Sequence, residues 1–226
     1  MLNDFLVTKY QKVVKTDYCL YAQGTDPILL CAHLDTVFLF PPINIYTDKE
    51  AKVMWAPAGL GADDRAGVYA IMQIIADNFR PSVLFTTDEE VGCVGAKKVI
   101  MDYSNCPFKD IKFILQLDRC EYGQAVFYNC DNRIFKDWIC SFGFREELGT
   151  YSDISVLCPY WEIAGANLSV GYYNEHSQAE YLKWEQLEYT IGRVELMFER
   201  VYNLDRPFRY IPKVLYNSPN IKNLTF

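Results

Sequence analysis

Only two histidines occur among the 226 residues, His33 and His176, and acids stand close to both. In His33-Leu34-Asp35, residues i and i+2 of an extended segment face the same side. His33 could therefore bind a metal through one ring nitrogen while Asp35 holds the other, which fixes the tautomer of a ligating imidazole. Gly61-Ala62-Asp63-Asp64-Arg65-Ala66-Gly67 puts two acids where a Gly-rich loop enters a helix. One Asp could cap that helix; the other is left to explain, and a carboxylate has two oxygens with which to bridge two cations. Thr87-Asp88-Glu89-Glu90-Val91-Gly92 carries three consecutive acids after an apolar run. One could ligate while its neighbour accepts a proton from an activated water; the plainer alternative is a solvated acidic turn. Gln116-Leu117-Asp118-Arg119 and Tyr173-Asn174-Glu175-His176-Ser177 add an acid and the second histidine. Nitrogen and oxygen donors suit Zn²⁺ at a hydrolytic site, with Co²⁺ or Mn²⁺ as alternatives.

These residues need elements that bring them together. Residues 2–15 read as a helix and Tyr18–Ala22 as a strand. Short, nearly continuous apolar runs begin at Pro27, Pro81 and Lys112, as expected of strands buried on both faces. Each ends in candidate residues: His33, the acids 88–90, and Asp118. Residues 41–50 read as a loop and Lys52–Trp55 as a strand. The loop at 57–61 leads into a helix with apolar residues at Val68, Ile71, Met72 and Ile75. Further helices are expected over Val94–Tyr103, Arg133–Phe142 and Trp184–Val201, with strands at Gln124–Tyr128 and within Trp161–Val170. Alternating strands and helices predict a three-layer α/β/α sandwich with a mixed, largely parallel central sheet. In such sheets ligands bind beyond the carboxyl ends of the strands, where these acids and histidines fall. No linker divides the chain, so residues 1–226 are expected to form a single catalytic domain.

Composition narrows the partners. Half the residues are hydrophobic, enough for a sizeable core, and the net charge is −7. No basic patch of the kind that binds nucleic acid is present, and no apolar stretch is long enough to span a membrane. The eight cysteines form no C-x-x-C pair. With no signal-like N-terminus, they fit a reducing cytoplasm better than a disulfide scaffold.

The segments CAHLDTV, GLGADDRAG, TTDEEVGCVGA, LQLDR and GYYNEHSQAEYL, in that order over roughly residues 28–200, resemble the successive motifs of the co-catalytic dizinc peptidases. These comprise the carboxypeptidase G and peptidase T group and the related bacterial leucyl aminopeptidases. The resemblance implies two Zn²⁺ ions held by His33, Asp64, Glu90, Asp118 and His176. Asp64 is the bridging carboxylate, because Gly67 follows it by three residues, and Asp63 is the competing choice. Asp35 would orient His33, and Glu89 would be the general base. Gly149-Thr150-Tyr151-Ser152-Asp153 resembles a segment near the substrate, so Asp153 could face a substrate amine; a turn capping a helix is the alternative. The implied activity is that of an aminopeptidase or a di- or tripeptidase acting on a small peptide. The alternatives are a metal-dependent amidase or deacylase acting on an N-acyl amino acid, and a non-catalytic metal-binding module, which the acid beside the ligand disfavours. Two departures are visible. Only 58 residues separate Asp118 from His176, and 31 separate His33 from Asp64, so the family's lid or dimerisation inserts are absent at both places. Any oligomer would form without the family's dimerisation domain.

Overall fold

The computed structural model describes residues 1–213. At its centre four parallel strands lie side by side: β6 (Pro81–Thr86), β3 (Asp26–His33), β7 (Phe113–Arg119) and β10 (Gly165–Ser169). Their sequences are apolar at nearly every position because both faces are covered. In β3, Ile28, Leu30 and Ala32 join one core and Leu29 and Cys31 the other. The first core lies under α2 (Ala62–Ala76) and α6 (Trp184–Val201). The second lies under α3 (Val94–Asp102) and α5 (Asp153–Trp161). The three-layer α/β/α arrangement expected from the strand and helix order is the one observed.

Short strands extend the sheet on both sides. β1 (Val13–Lys15) and β2 (Cys19–Ala22) continue it antiparallel beyond β6. On the other side, β8 (Gln124–Val126) runs antiparallel to β10 and β9 (Arg145–Glu147) pairs with β8. A second, four-stranded sheet has the order β11 (Tyr172–Tyr173), β12 (Tyr181–Lys183), β5 (Val53–Trp55), β4 (Tyr46–Asp48). Among the described residues, no helix is long and apolar enough to cross a membrane.

Two local readings are corrected. The helix expected over residues 2–15 stops at Lys9, and Val13–Lys15 is a strand; paired β-branched residues favour a strand at the sheet edge. The loop expected over 41–50 contains β4, which pairs with β5. The strand expected within Trp161–Val170 is β10, and helix α5 before it holds Pro159 in its last turn.

One close approach sets the distance between layers. A Cβ on Gly67 of α2 would come within 1.8 Å of the Leu117 carbonyl oxygen of β7. Glycine is needed here for space, although alanine is the better helix former. Gly67→Ala is therefore expected to destabilise the fold by about 3 kcal/mol through overpacking. Thermal unfolding should show Tm lower by roughly 6–12 °C; an unchanged Tm would contradict this packing.

Candidate metal centre

The carboxyl ends of β3, β6 and β7 form one rim, and the expected residues converge there. His33 is the last residue of β3 and pairs in register with Thr86, the last of β6. The Glu89–Glu90 turn follows β6, and Asp118 is the penultimate residue of β7. His176 comes from the turn between β11 and β12.

Asp35 holds the first two pieces together. Its Oδ1 accepts a hydrogen bond from the Glu89 backbone N–H at 3.1 Å and its Oδ2 one from Glu90 N–H at 3.1 Å. The same Oδ1 lies 3.4 Å from His33 Nδ1, which is also 3.1 Å from the Asp35 carbonyl oxygen. The other ring nitrogen, Nε2, faces the rim. It lies 3.0 Å from Asp63 Oδ1 and 3.3 Å from Asp118 Oδ1.

The paired aspartates face different ways. Asp64 is fully buried. Its Oδ2 accepts from His33 N–H at 3.1 Å and its Oδ1 from Gly67 N–H at 3.0 Å. Although Asp64 stands within ligand distance of His33 and Asp118, both its oxygens are occupied by backbone donors. Asp63 instead turns its two oxygens to the two histidines: Oδ1 to His33 and Oδ2 to His176 Nε2, 3.2 Å away. Glu90 Oε2 completes this second group, 2.9 Å from His176 Nε2. Of the two, it is Asp63 that stands between the histidines, because the chain enters α2 with Asp63 facing the rim and Asp64 facing the sheet.

Several supporting residues escape the sequence reading. Buried Glu180 accepts hydrogen bonds from the backbone N–H groups of Gly61 and Asp63, and so shapes the loop that presents Asp63. The only sequence signal for it was an acid four residues after His176. Gln116 Nε2 donates to Asp118 Oδ2 at 2.9 Å, Tyr172 Oη donates to the Asp118 carbonyl at 3.0 Å, and Asp118 N–H donates to Asn167 Oδ1 at 3.0 Å. Arg65 and Arg119, which each follow a rim acid, donate to the Leu60 carbonyl and to Gln124 Oε1.

Burial and charge act on every group here. Burial pushes the Asp118 carboxyl up to about 7 and that of Glu89 up to about 8, with the Asp118 charge adding to the latter. For Asp63, burial acts upward, but hydrogen bonds from His176 and His33 outweigh it and hold the group at about 2. The hydrogen bond to Asp63 raises His176 to about 9. Burial disfavours the His33 cation, yet Asp118, Asp35 and Asp63 together hold its pKa well above the ordinary value. Concentrated carboxylate charge thus draws positive charge to the rim.

A metal fits these residues. Two imidazoles and three carboxylates face one another in two groups that share Asp63, and this donor set suits Zn²⁺. Among the described residues, buried Glu90 Oε1 has no hydrogen-bond partner, which leaves it free for a cation. A cavity of about 160 Å³ opens over the rim, lined by Asp63, Glu89, Glu90, Asp118 and His176 among others. Tyr128, Gly149, Thr150 and Tyr151 line both this cavity and a neighbouring one of about 330 Å³.

Asp153 does not reach the cavity. It is fully buried at the start of α5, accepts a hydrogen bond from Thr86 Oγ1, and is raised to about 6 by burial. The expectation that it faces a substrate amine is corrected: its helix begins beneath the sheet rim, so the carboxylate points into the protein.

The sequence profile of peptidase family M28 matches residues 19–137, more than half of the chain. The chain belongs to peptidase family M28. It is accordingly a metallopeptidase, and its His, Asp and Glu groups can hold metal. The fold is similar to that of aminopeptidase PepT from Bacillus cereus ATCC 10987, at 15% identity and a TM-score of 0.70 over 89% of this chain and 91% of that one. It is also similar to a tripeptidase from Staphylococcus aureus subsp. aureus Mu50, at 13% identity and a TM-score of 0.69 over 88% and 91% of the two chains. A TET aminopeptidase from a marine-sediment Thaumarchaeota archaeon gives 14% identity and a TM-score of 0.64 over 88% and 90%. No curated protein matches the chain by sequence.

The division between the aspartates is testable within this M28 chain. Asp63→Asn is expected to weaken metal binding at least about ten-fold, while Asp64→Asn chiefly lowers thermal stability. Metal titration by calorimetry beside thermal unfolding separates the two; the reverse pattern would restore Asp64 as the shared ligand.

Proposed function

We propose that the chain is a dinuclear zinc exopeptidase that removes residues from small peptides as an aminopeptidase or a di- or tripeptidase. The observation that carries this reading is the sharing of Asp63, each oxygen of which meets a different histidine–carboxylate pair. His33 and Asp118 would hold one ion with Asp63 Oδ1, and Glu90 and His176 the other with Asp63 Oδ2. Two bound zinc ions supply an acidified water and a polarised scissile carbonyl. Asp35 orients His33 and fixes the backbone of the Glu89–Glu90 turn. Glu89 lines the cavity without being needed as a ligand, and burial raises its proton affinity. It takes a proton from water and returns it to the leaving amine.

The family match favours peptide hydrolysis over the amidase and the non-catalytic readings. We place the enzyme in the cytoplasm, a reading supported by eight free cysteines. We also read it as a single catalytic domain, since the second sheet carries His176 onto the rim of the first rather than forming a separate body.

Glu89→Gln is expected to keep two metal ions, counted by elemental analysis, while turnover of a di- and tripeptide panel falls by about 10²–10⁴. Undiminished turnover in metal-loaded Glu89→Gln would remove Glu89 from its role. His33→Ala is expected to lose metal along with activity, and two ions still bound to it would overturn the ligand set.

A further inference from the structure

Residues Val37–Tyr46 read Val-Phe-Leu-Phe-Pro-Pro-Ile-Asn-Ile-Tyr, ten residues without a charge in a chain of net charge −7. They connect the His33–Asp35 end of β3 to strand β4. The middle of the segment projects into solvent: Leu39 is 92% exposed, Phe40 81% and Ile43 95%. Its two ends are anchored. The Phe38 ring packs on Gly59, where a Cβ would meet it at 2.2 Å. Ile45 forms part of the wall of an apolar groove of about 460 Å³, with Met54, Leu60, Tyr69, Leu182 and Trp184. Loop and groove are therefore adjacent parts of one surface. Tyr46 and Trp55, which stack on each other with ring centroids 5.9 Å apart, and Tyr69 extend it with further exposed rings.

The area is too large for an ordinary free surface. Seven large apolar or aromatic side chains at these exposures present on the order of 1,000 Å², against ~300–600 Å² for the largest patch on a typical monomer. One side of a stable protein interface covers about 800 Å². Among the described residues, the surface also has an unpaired strand edge, since β4 is the outer strand of its sheet and all three of its residues are exposed. Such edges are natural templates for pairing.

We infer that this surface is the interface of a homodimer in which the Leu39–Ile43 loop of each copy enters the apolar groove of the other. A projection and a recess side by side on one face can satisfy each other reciprocally about a two-fold axis, and such a contact closes at two copies. Charge selects the same face. Two copies at −7 repel each other wherever their acidic surfaces meet. Here the ten-residue segment is neutral, and the charged residues at the groove, Arg65 and Glu188, are of opposite sign. Pro41 and Pro42 stiffen the projecting loop, so less conformational freedom is lost when it docks.

The test reads mass, not turnover, so its outcome is independent of the hydrolytic reading. Sedimentation velocity and light scattering on the full chain, from low to high micromolar concentration, should give twice the 26.2 kDa of one copy. The double variant Phe40→Asp/Ile43→Asp alters only exposed side chains and should sediment as a monomer with an unchanged far-ultraviolet circular dichroism spectrum. Its dimer dissociation constant should rise at least about a hundred-fold. Tyr69→Arg, on the groove, should do the same independently. A monomeric wild type, or a dimer that survives these substitutions, overturns the proposal. So does a monomeric wild type that pellets with phosphatidylcholine vesicles, which would assign the surface to a lipid bilayer.

Discussion

Carboxylates removed from water must be given partners, and the rim of this sheet is built around how they are given. Its acids fall into two sets. Asp35, Asp64 and Glu180 each accept two backbone N–H groups. Asp63, Glu90 and Asp118 direct oxygens at the imidazole Nε2 atoms that face the rim. Backbone donors stabilise a buried carboxylate where it stands, because they do not move. The first set therefore acts as scaffold: it fixes the loops from which the second set is presented. The second set lacks such fixed donors on the oxygens that face the rim, which suits those oxygens to a divalent cation.

The sheet supplies the rest of the geometry. Three parallel strands end at the same level, so residues separated by 30 to 85 positions in sequence meet within hydrogen-bond distance. Helix α2 is pressed against β7 at Gly67, and that contact puts Asp64 under His33 and Asp63 in front of it. Packing and electrostatics are thus not separable here: the same glycine that lets two layers approach also supplies an N–H to Asp64.

Much of this was legible in the sequence because the strands announce themselves. Apolar runs ending in His33, in Glu89–Glu90 and in Asp118 revealed both the parallel sheet and its functional edge. The choice between Asp63 and Asp64 was not legible. Neighbouring residues of one type differ only in where the backbone turns, and that turn is set by Glu180, more than a hundred positions away. Short elements were missed for the same kind of reason. β11 and β12 comprise two and three residues, too few to show a period, and they exist because each pairs with a neighbour. Asp153 shows the opposite error: its motif pointed to the substrate, but burial beneath Thr86 decides where its carboxylate goes.

Asp35 carries a consequence of a different kind. One side chain steadies the first imidazole and also grips the peptide that carries Glu89 and Glu90. In the proposed mechanism, affinity for metal and readiness for proton transfer would therefore share a single hinge pin. A substitution at this position would disturb both properties together.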